Sequence, residues 1–214
     1  MRAKDDAERR LLKAAGQVFA EKGYEGGTVR EICERAEVNI AAPNYYFGDM
    51  ERLYIETVKS ACLEQAEQFP IPEWPPGTPP ARKLREFILA FCRRMLGESE
   101  MPWKRQLFLR EMAQPTAACA ELVRDSIRPT AAILGAILQE LLPETPEGKR
   151  WLVAFSIVGQ CLFYRILEPI VSELVGEAEF RSYKAEKLAE HIAEFSLAAL
   201  ENTVLKVAQA TRGE

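Results

Sequence analysis

The sequence predicts an all-α protein in which a three-helix, helix-turn-helix unit precedes a larger bundle of helices. Apolar residues recur at helical spacing, as at Leu11, Ala15 and Val18, whereas segments that alternate with period two are few. Six of the thirteen prolines are Pro70, Pro72, Pro75, Pro76, Pro79 and Pro80. No regular helix survives that density, so residues 69–80 are expected to connect two helical units.

The first helix is expected to end at Lys22-Gly23, where a cation in the last turn precedes a glycine. Thr28 is a suitable N-cap for a short second helix, and Glu31 three residues later completes a capping-box pattern. Asn39 can cap a third helix that runs through Tyr46. Asp49 can cap a longer fourth helix over residues 49–68.

The remainder of the chain predicts five further helices. They are expected near residues 79–97, 102–113, 117–142, 147–167 and 182–210. Thr78 followed by Pro79 is typical of a cap and a first helical turn. Pro129 should kink the helix over residues 117–142.

Composition and charge exclude several classes of function. The 214 residues carry a formal net charge of -4, so binding to an anionic partner must come from local geometry. The five cysteines form no CxxC pair, and the single histidine, His191, disfavours a zinc site or a histidine-based catalytic dyad. GxSxG, HExxH and P-loop patterns are absent. We therefore expect a cytoplasmic protein without enzyme activity, cofactor, metal or membrane contact.

Residues 28–53 carry the functional signal. Two helices of fewer than ten residues are joined by Glu37-Val38, and neither is long enough to be stable alone. They must pack on each other and on the first helix, which is the geometry of a helix-turn-helix. In that motif the second helix enters the major groove of DNA by its N-terminal end.

Residues 39–46, the recognition segment, carry side chains that can contact bases and phosphates in a DNA groove. Ile40, Ala41 and Ala42 are small or apolar and can touch thymine methyl groups, and Asn44 can pair with adenine N6 and N7. Phosphate contacts are predicted for Thr28, Arg30, Asn39, Tyr45 and Tyr46. Arg2, Lys4, Arg9 and Arg10 can reach flanking phosphates. The alternative is that Thr28 and Asn39 are only helix caps and that one tyrosine is core.

The sequence resembles the TetR family of bacterial repressors. The resemblance rests on VFAEKGYEGGTVREIC, VNIAAPNYYF and FGDMERLY in residues 7–60, and on LREMAQPT (109–116), SIVGQCLFYR (156–165) and HIAEFSLAAL (191–200). NIAAPNYYF resembles a subgroup with an NIAAxNYYF signature. The chain has Glu37 and Met50 where the family usually has glycine and lysine, and Pro43 lies inside the recognition helix. The resemblance implies a homodimeric, TetR-like regulator of a double-stranded DNA operator that is nearly palindromic.

Two apolar stripes on the C-terminal helices are candidates for the homodimer interface. One comprises Trp151, Phe155, Val158, Leu162 and Ile166, and the other comprises Leu188, Ile192, Phe195 and Ala199. Two such helices from each chain can form a four-helix interface, for which we select Phe155, Leu162, His191, Ile192 and Phe195. The alternative is that both stripes belong to the core of one chain.

Polar and aromatic residues on the C-terminal helices are candidates for a small-molecule effector pocket. They are Trp103, Phe108, Glu111, Gln160, Tyr164 and Arg165. Because a buried charge is costly unless paired, a pairing of Arg110 or Arg165 with Glu111 is an equal alternative to ligand contact. The sequence does not identify the effector.

The domain organisation follows from these assignments. Residues 1–54 are predicted to form the DNA-binding domain, and residues 55–214 the domain for ligand binding and dimerisation. The helix over residues 49–68 would couple them, pivoting at the proline-rich connection 69–80 when an effector shifts the population of states. The competing interpretation is a helical carrier of small molecules or lipids without DNA-binding activity.

Overall fold

The structure is a computed structural model that describes the backbone of residues 2–97 and 102–210 and the side chains of residues 6–97 and 102–201. Every regular element within these ranges is helical, which confirms the predicted all-α class. The helices are α1 (Arg2–Gly26), α2 (Val29–Ala36), α3 (Ala42–Phe47), α4 (Met50–Gln68), α5 (Pro80–Leu96), α6 (Pro102–Ala113), α7 (Ala117–Leu122), α8 (Arg128–Leu141), α9 (Glu147–Ile166), α10 (Glu168–Val175), α11 (Glu177–Phe180) and α12 (Ala185–Ala210).

The chain folds into two compact units. Unit 1 comprises Met1–Glu67 and Glu98–Pro129, and unit 2 comprises Gln68–Gly97 and Thr130–Glu214. Helices α6 and α7 thus belong to the same compact unit as the helix-turn-helix. The predicted functional boundary between residues 54 and 55 stays a prediction, because compactness alone does not define a functional domain.

The N-terminal cap of α2 forms as predicted, and the capping box is half formed. The Thr28 Oγ1 atom accepts a hydrogen bond from the Glu31 backbone N–H at 3.2 Å. The Glu31 carboxylate pairs with Lys22 at 2.6 Å and with Arg35 at 2.8 Å instead of returning to the cap residue. At the end of α1, Gly23 has a φ of +77°, which breaks the helix at the predicted Lys22-Gly23 position.

The start of α3 differs from the prediction. Asn39 does not cap a helix directly, because its Oδ1 atom accepts from the Ala41 N–H at 2.9 Å and α3 begins only at Ala42. This Asx turn positions the chain before the helix. The next prediction is confirmed: Asp49 Oδ1 accepts from the Arg52 N–H at 2.7 Å and caps α4.

The turn between α2 and α3 is strained at Glu37, whose φ of +53° lies in the left-handed region. A side chain costs about 1–2 kcal/mol in this conformation, so Glu37→Gly is expected to raise the free energy of unfolding by about 1 kcal/mol. Urea denaturation measures the change. Glu37→Ala retains a Cβ atom and should bring no such gain. Equal stability of the glycine variant and the parent would contradict the strain.

The core of unit 1 is formed by buried residues of α1, α2, α4 and α6. Phe19, Ile32 and Leu53 are fully buried there, together with Leu11 and Leu107. The approach of α6 to α1 is close enough that a Cβ atom on Gly16 would lie 2.1 Å from the Trp103 ring. Gly16 is therefore required by the packing of Trp103 and not by backbone conformation.

The core of unit 2 is built from α5, α8, α9 and α12, with Leu84, Phe87, Ile137 and Ile192 among its buried residues. Before α5, Thr78 is not the predicted helix cap. Its hydroxyl donates to the Pro75 carbonyl at 2.8 Å and its N–H reaches the same carbonyl at 3.2 Å. These bonds close a turn around Gly77, whose φ is +84°.

Three features of the later helices differ from the prediction. The expected helix over 117–142 is α7 and α8 joined by a π-helical segment, Val123–Ile127, just before Pro129. A proline clashes with the carbonyl four residues earlier, and the wider π turn accommodates that clash. Helices α10 and α11 were not predicted, and α12 begins at Ala185 instead of residue 182.

No single described helix is long and apolar enough to cross a membrane. Helices α9 and α10 reach the required length and hydropathy only as a pair bent by 76°.

Candidate DNA-binding site

Helix α3 is fixed by its inner face, which leaves the opposite face open. Pro43 is buried, and Ala42, Tyr46 and Phe47 are partly buried against the core of unit 1. Helix α2 is anchored likewise through Ile32, Cys33 and Ala36. A helix of six residues is unstable alone, so this anchoring holds the recognition segment in place.

The outward face carries the residues predicted for base and phosphate contact. Ile40 is 58% exposed and Tyr45 is 71% exposed. Asn39, Ala41 and Asn44 are also exposed. The alternative that one of the two tyrosines is core applies to Tyr46, which packs against the core of unit 1 while Tyr45 faces outward. The segment therefore presents an amide, a phenol and small apolar groups together.

Thr28, which caps α2, and Asn39, which closes the turn before α3, keep hydrogen-bond donors that a phosphate can use. Thr28 is exposed and uses its oxygen as the cap acceptor, and a hydroxyl oxygen that accepts can still donate its own hydrogen. Asn39 uses Oδ1 for the turn, which leaves its NH₂ group as the donor end of the amide. The cap formed by Thr28 and the turn closed by Asn39 are thus both compatible with DNA contact.

The predicted flanking cations have different surroundings. Arg30 is exposed and pairs with Glu34 at 2.9 Å, and Arg9 pairs with Asp6 at 2.9 Å. Arg10 donates from Nη1 to the Ala36 carbonyl at 3.0 Å, so it satisfies the C-terminal end of α2. The side chains of Arg2 and Lys4 lie outside the described residues. Met50 packs partly buried against the core.

An ion-pair network ties α4 to α7 and the π-helical segment within unit 1. Arg52 lies 2.7 Å from Glu121, and Lys59 lies 3.1 Å from Glu121 and 2.9 Å from Asp125. Hydrogen bonds from Arg124 and Lys59 lower the pKa of the Asp125 carboxyl to about 2. The sequence analysis missed this network, because its partners lie more than sixty residues apart.

Within unit 1, Glu111 is bonded to Tyr54 and Thr116, and Arg110 is bonded to α1. Glu111 is 0% exposed, and its carboxylate accepts from the Tyr54 hydroxyl at 2.7 Å and from the Thr116 N–H at 2.8 Å. Arg110 turns to α1, where it donates to the carbonyls of Ala20 at 2.7 Å and Glu21 at 2.9 Å. Glu111 therefore serves a buried protein network.

The six predicted effector residues divide between the two units. Trp103, Phe108 and Glu111 belong to unit 1, and Gln160, Tyr164 and Arg165 belong to unit 2. In unit 2, Gln160 and Tyr164 line a cleft of about 270 Å³, whose other lining residues are Gly159, Phe163, His191 and Ile192.

The predicted dimer stripes are exposed or half-buried except at Leu188 and Ile192, which are buried. Phe155 is 62% exposed and Phe195 is 60% exposed, while His191 is exposed and Leu162 is half-buried. Ile192 is 1% exposed and belongs to the core of unit 2. The second stripe therefore serves the chain's own core at Ile192 and presents an apolar surface at Phe195.

A short, exposed recognition helix held by two packed helices defines a helix-turn-helix DNA-binding protein. The comparisons give the family. Residues 11–57 match the family "Bacterial regulatory proteins, tetR family", and residues 80–200 match "HTH-type transcriptional dual regulator CecR, C-terminal domain". The chain belongs to the TetR family and is a DNA-binding transcriptional regulator. The carrier interpretation without DNA binding is not supported.

Relatives and solved structures agree with this family. The HTH-type transcriptional dual regulator CecR of Shigella flexneri is 27% identical over 197 residues, which cover 85% of this chain and 86% of that protein. A TetR-like regulator from Rhodococcus sp. RHA1 has a TM-score of 0.65 at 19% identity, covering 91% and 96% of the two chains. FadR of Bacillus subtilis, solved with stearoyl-CoA, has a TM-score of 0.63 at 20% identity, covering 88% and 96%.

Proposed function

We propose that the protein is a homodimeric repressor that binds a near-palindromic operator and is released by a small-molecule effector. The observation that carries the proposal is the exposed face of residues 39–45, which is presented by a helix whose inner face is anchored at Pro43 and Tyr46. A twofold dimer would present two such faces to successive major grooves, about 34–36 Å apart.

Each exposed residue of the segment has a proposed role. Asn44 pairs with adenine in the major groove, and Ile40 and Ala41 contact thymine methyl groups. Ala42 is partly buried and allows α3 to approach the groove floor. Tyr45 and Tyr46 are assigned phosphate contacts through their hydroxyl groups, as are Thr28, Arg30 and Asn39.

Selection of bound fragments from genomic DNA tests the proposal. The protein should enrich a small set of fragments that share two inverted half-sites, and a gel shift with those fragments should weaken as salt rises. Enrichment of no sequence above background would overturn the proposed function. The fragments would also identify the regulated genes.

The proposed dimer interface lies on the exposed faces of α9 and α12. We expect Phe155→Glu to convert the protein to a monomer, because the charged side chain would be buried without a partner in the interface. Sedimentation equilibrium measures the change. Leu63→Glu, at a 46%-exposed leucine in unit 1, is the matched control and should remain dimeric. A dimer of unchanged affinity in the Phe155 variant would place the interface elsewhere.

Release by an effector is proposed as a population shift. The cleft at Gln160 and Tyr164 is the candidate binding site in unit 2, and Arg165 belongs to the same helix. FadR was solved with stearoyl-CoA, which supports small-molecule binding within this fold. An effector can lower DNA occupancy only by as much as its affinities for the two states differ. Equal DNA affinity with and without a tightly bound compound would exclude that compound as the effector.

A further inference from the structure

We propose that Glu111 is a positioning residue for DNA binding: its buried carboxylate links Tyr54 of α4 to Thr116 at the start of α7 and thereby fixes the direction in which α4 holds the recognition helix. The inference rests on the proposed function. Nothing in the DNA-contacting face uses this carboxylate, which is buried within unit 1.

The first step is the hydrogen bonding of the carboxylate. Three donors reach it: the Tyr54 hydroxyl at 2.7 Å, the Thr116 N–H at 2.8 Å and the Thr116 hydroxyl at 3.1 Å. The Thr116 hydroxyl can donate its hydrogen to Glu111 while its oxygen accepts from the Ala118 N–H at 3.1 Å. A buried polar group satisfied in this way is costly to disturb, since each lost partner leaves a desolvated group behind.

The second step is the connection from Tyr54 to the recognition helix. Tyr54 is 4% exposed, and its ring packs edge-on against Phe19 of α1 at 4.9 Å and Tyr24 at 5.2 Å. Only Gly48 and Asp49 separate α3 from α4, and Asp49 caps α4. The position of α4 therefore limits where α3 can lie.

The third step is that α6 is hydrogen-bonded to both α1 and α4. Arg110 donates to the carbonyls of Ala20 and Glu21 near the end of α1, and its neighbour Glu111 accepts from Tyr54 of α4. A tyrosine hydroxyl is protonated at neutral pH even at its usual pKa, and burial and the bond to Glu111 raise the pKa of Tyr54 further. Adjacent residues of one helix thus orient α1 and α4.

The test compares Tyr54→Phe and Glu111→Ala with the parent protein on the selected genomic fragments. Both variants should lose about tenfold in affinity for the selected fragment and keep their affinity for random-sequence DNA. The double variant should lose no more than either single variant, because both remove the same link. Thermal melting curves followed by circular dichroism are used to choose a temperature for the binding assays at which every variant is fully folded.

Tyr24→Phe is the matched control, since Tyr24 packs against the same ring and is partly buried. It should bind the selected fragment as the parent does. Glu111→Gln keeps an acceptor for Tyr54 and should therefore retain more affinity than Glu111→Ala. Folded variants that lower the unfolding midpoint and bind the fragment within twofold of the parent would show a structural role only and overturn the inference. A parent protein that selects no DNA would instead overturn the proposed function.

Discussion

Replacing Asn44 with alanine is expected to lower the affinity for the selected operator by roughly 5- to 150-fold per half-site, the equivalent of about 1–3 kcal/mol for a bidentate contact with adenine. Asn44 is exposed on α3, so the substitution should leave the unfolding midpoint unchanged. Affinity for random-sequence DNA should change little, because that binding depends on phosphate contacts. Fluorescence anisotropy with operator and random fragments measures both.

Gln68→Ala is the control for the Asn44 prediction. Gln68 carries an exposed amide at the end of α4 and should bind operator DNA as the parent does. If Asn44→Ala retained full operator affinity and full discrimination against random DNA, Asn44 would not read a base.

Gly16→Ala is expected to have the largest effect on stability. Its new Cβ atom would lie 2.1, 2.4 and 2.6 Å from three atoms of the Trp103 ring, so the ring or the whole of α6 must move. Overpacking of this kind costs about 1–3 kcal/mol, a large share of the 5–15 kcal/mol typical of a domain. Alanine favours the helix over glycine by only about 1 kcal/mol. Urea denaturation should therefore show a lower free energy of unfolding.

Gly135→Ala is the matched control, because Gly135 also lies inside a helix and a Cβ atom there meets nothing within 4 Å. It should raise the stability slightly through helix propensity. In a Trp103→Ala background, Gly16→Ala should cost little, since the ring that obstructs the methyl group is gone. A Gly16 variant as stable as the Gly135 variant would contradict the packing at this crossing.

Local sequence signals predicted several helix ends, although the predicted caps at Thr78 and Asn39 were wrong. The caps at Thr28 and Asp49 and the break at Gly23 were predicted correctly. The predicted start of α3 was wrong, because an asparagine side chain can close a turn two residues ahead as well as cap a helix. The π-helical segment before Pro129 was missed, because a proline indicates a distortion without defining its form.

In the candidate DNA-binding site too, local patterns predicted some features, and the rest depended on contacts between distant residues. Spacing and resemblance selected the recognition segment, and packing was needed to show that Tyr46 is anchored and Tyr45 is exposed. The bonds from Arg10 to Ala36 and from Tyr54 to Glu111 could not be predicted, because they span 26 and 57 residues of the chain. Only the folded arrangement of α1, α2, α4 and α6 brings these groups together.

Interference by guanine N7 methylation tests the central claim most directly, because N7 lies in the major groove and methylation there blocks a helix from entering. On a selected fragment, we predict two interference patches related by twofold symmetry and centred one helical turn, or a multiple of it, apart. Asn44→Ala should weaken binding without moving these patches. No interference at guanine N7 within the half-sites, or a single patch bound by a monomer, would contradict major-groove recognition by paired copies of α3.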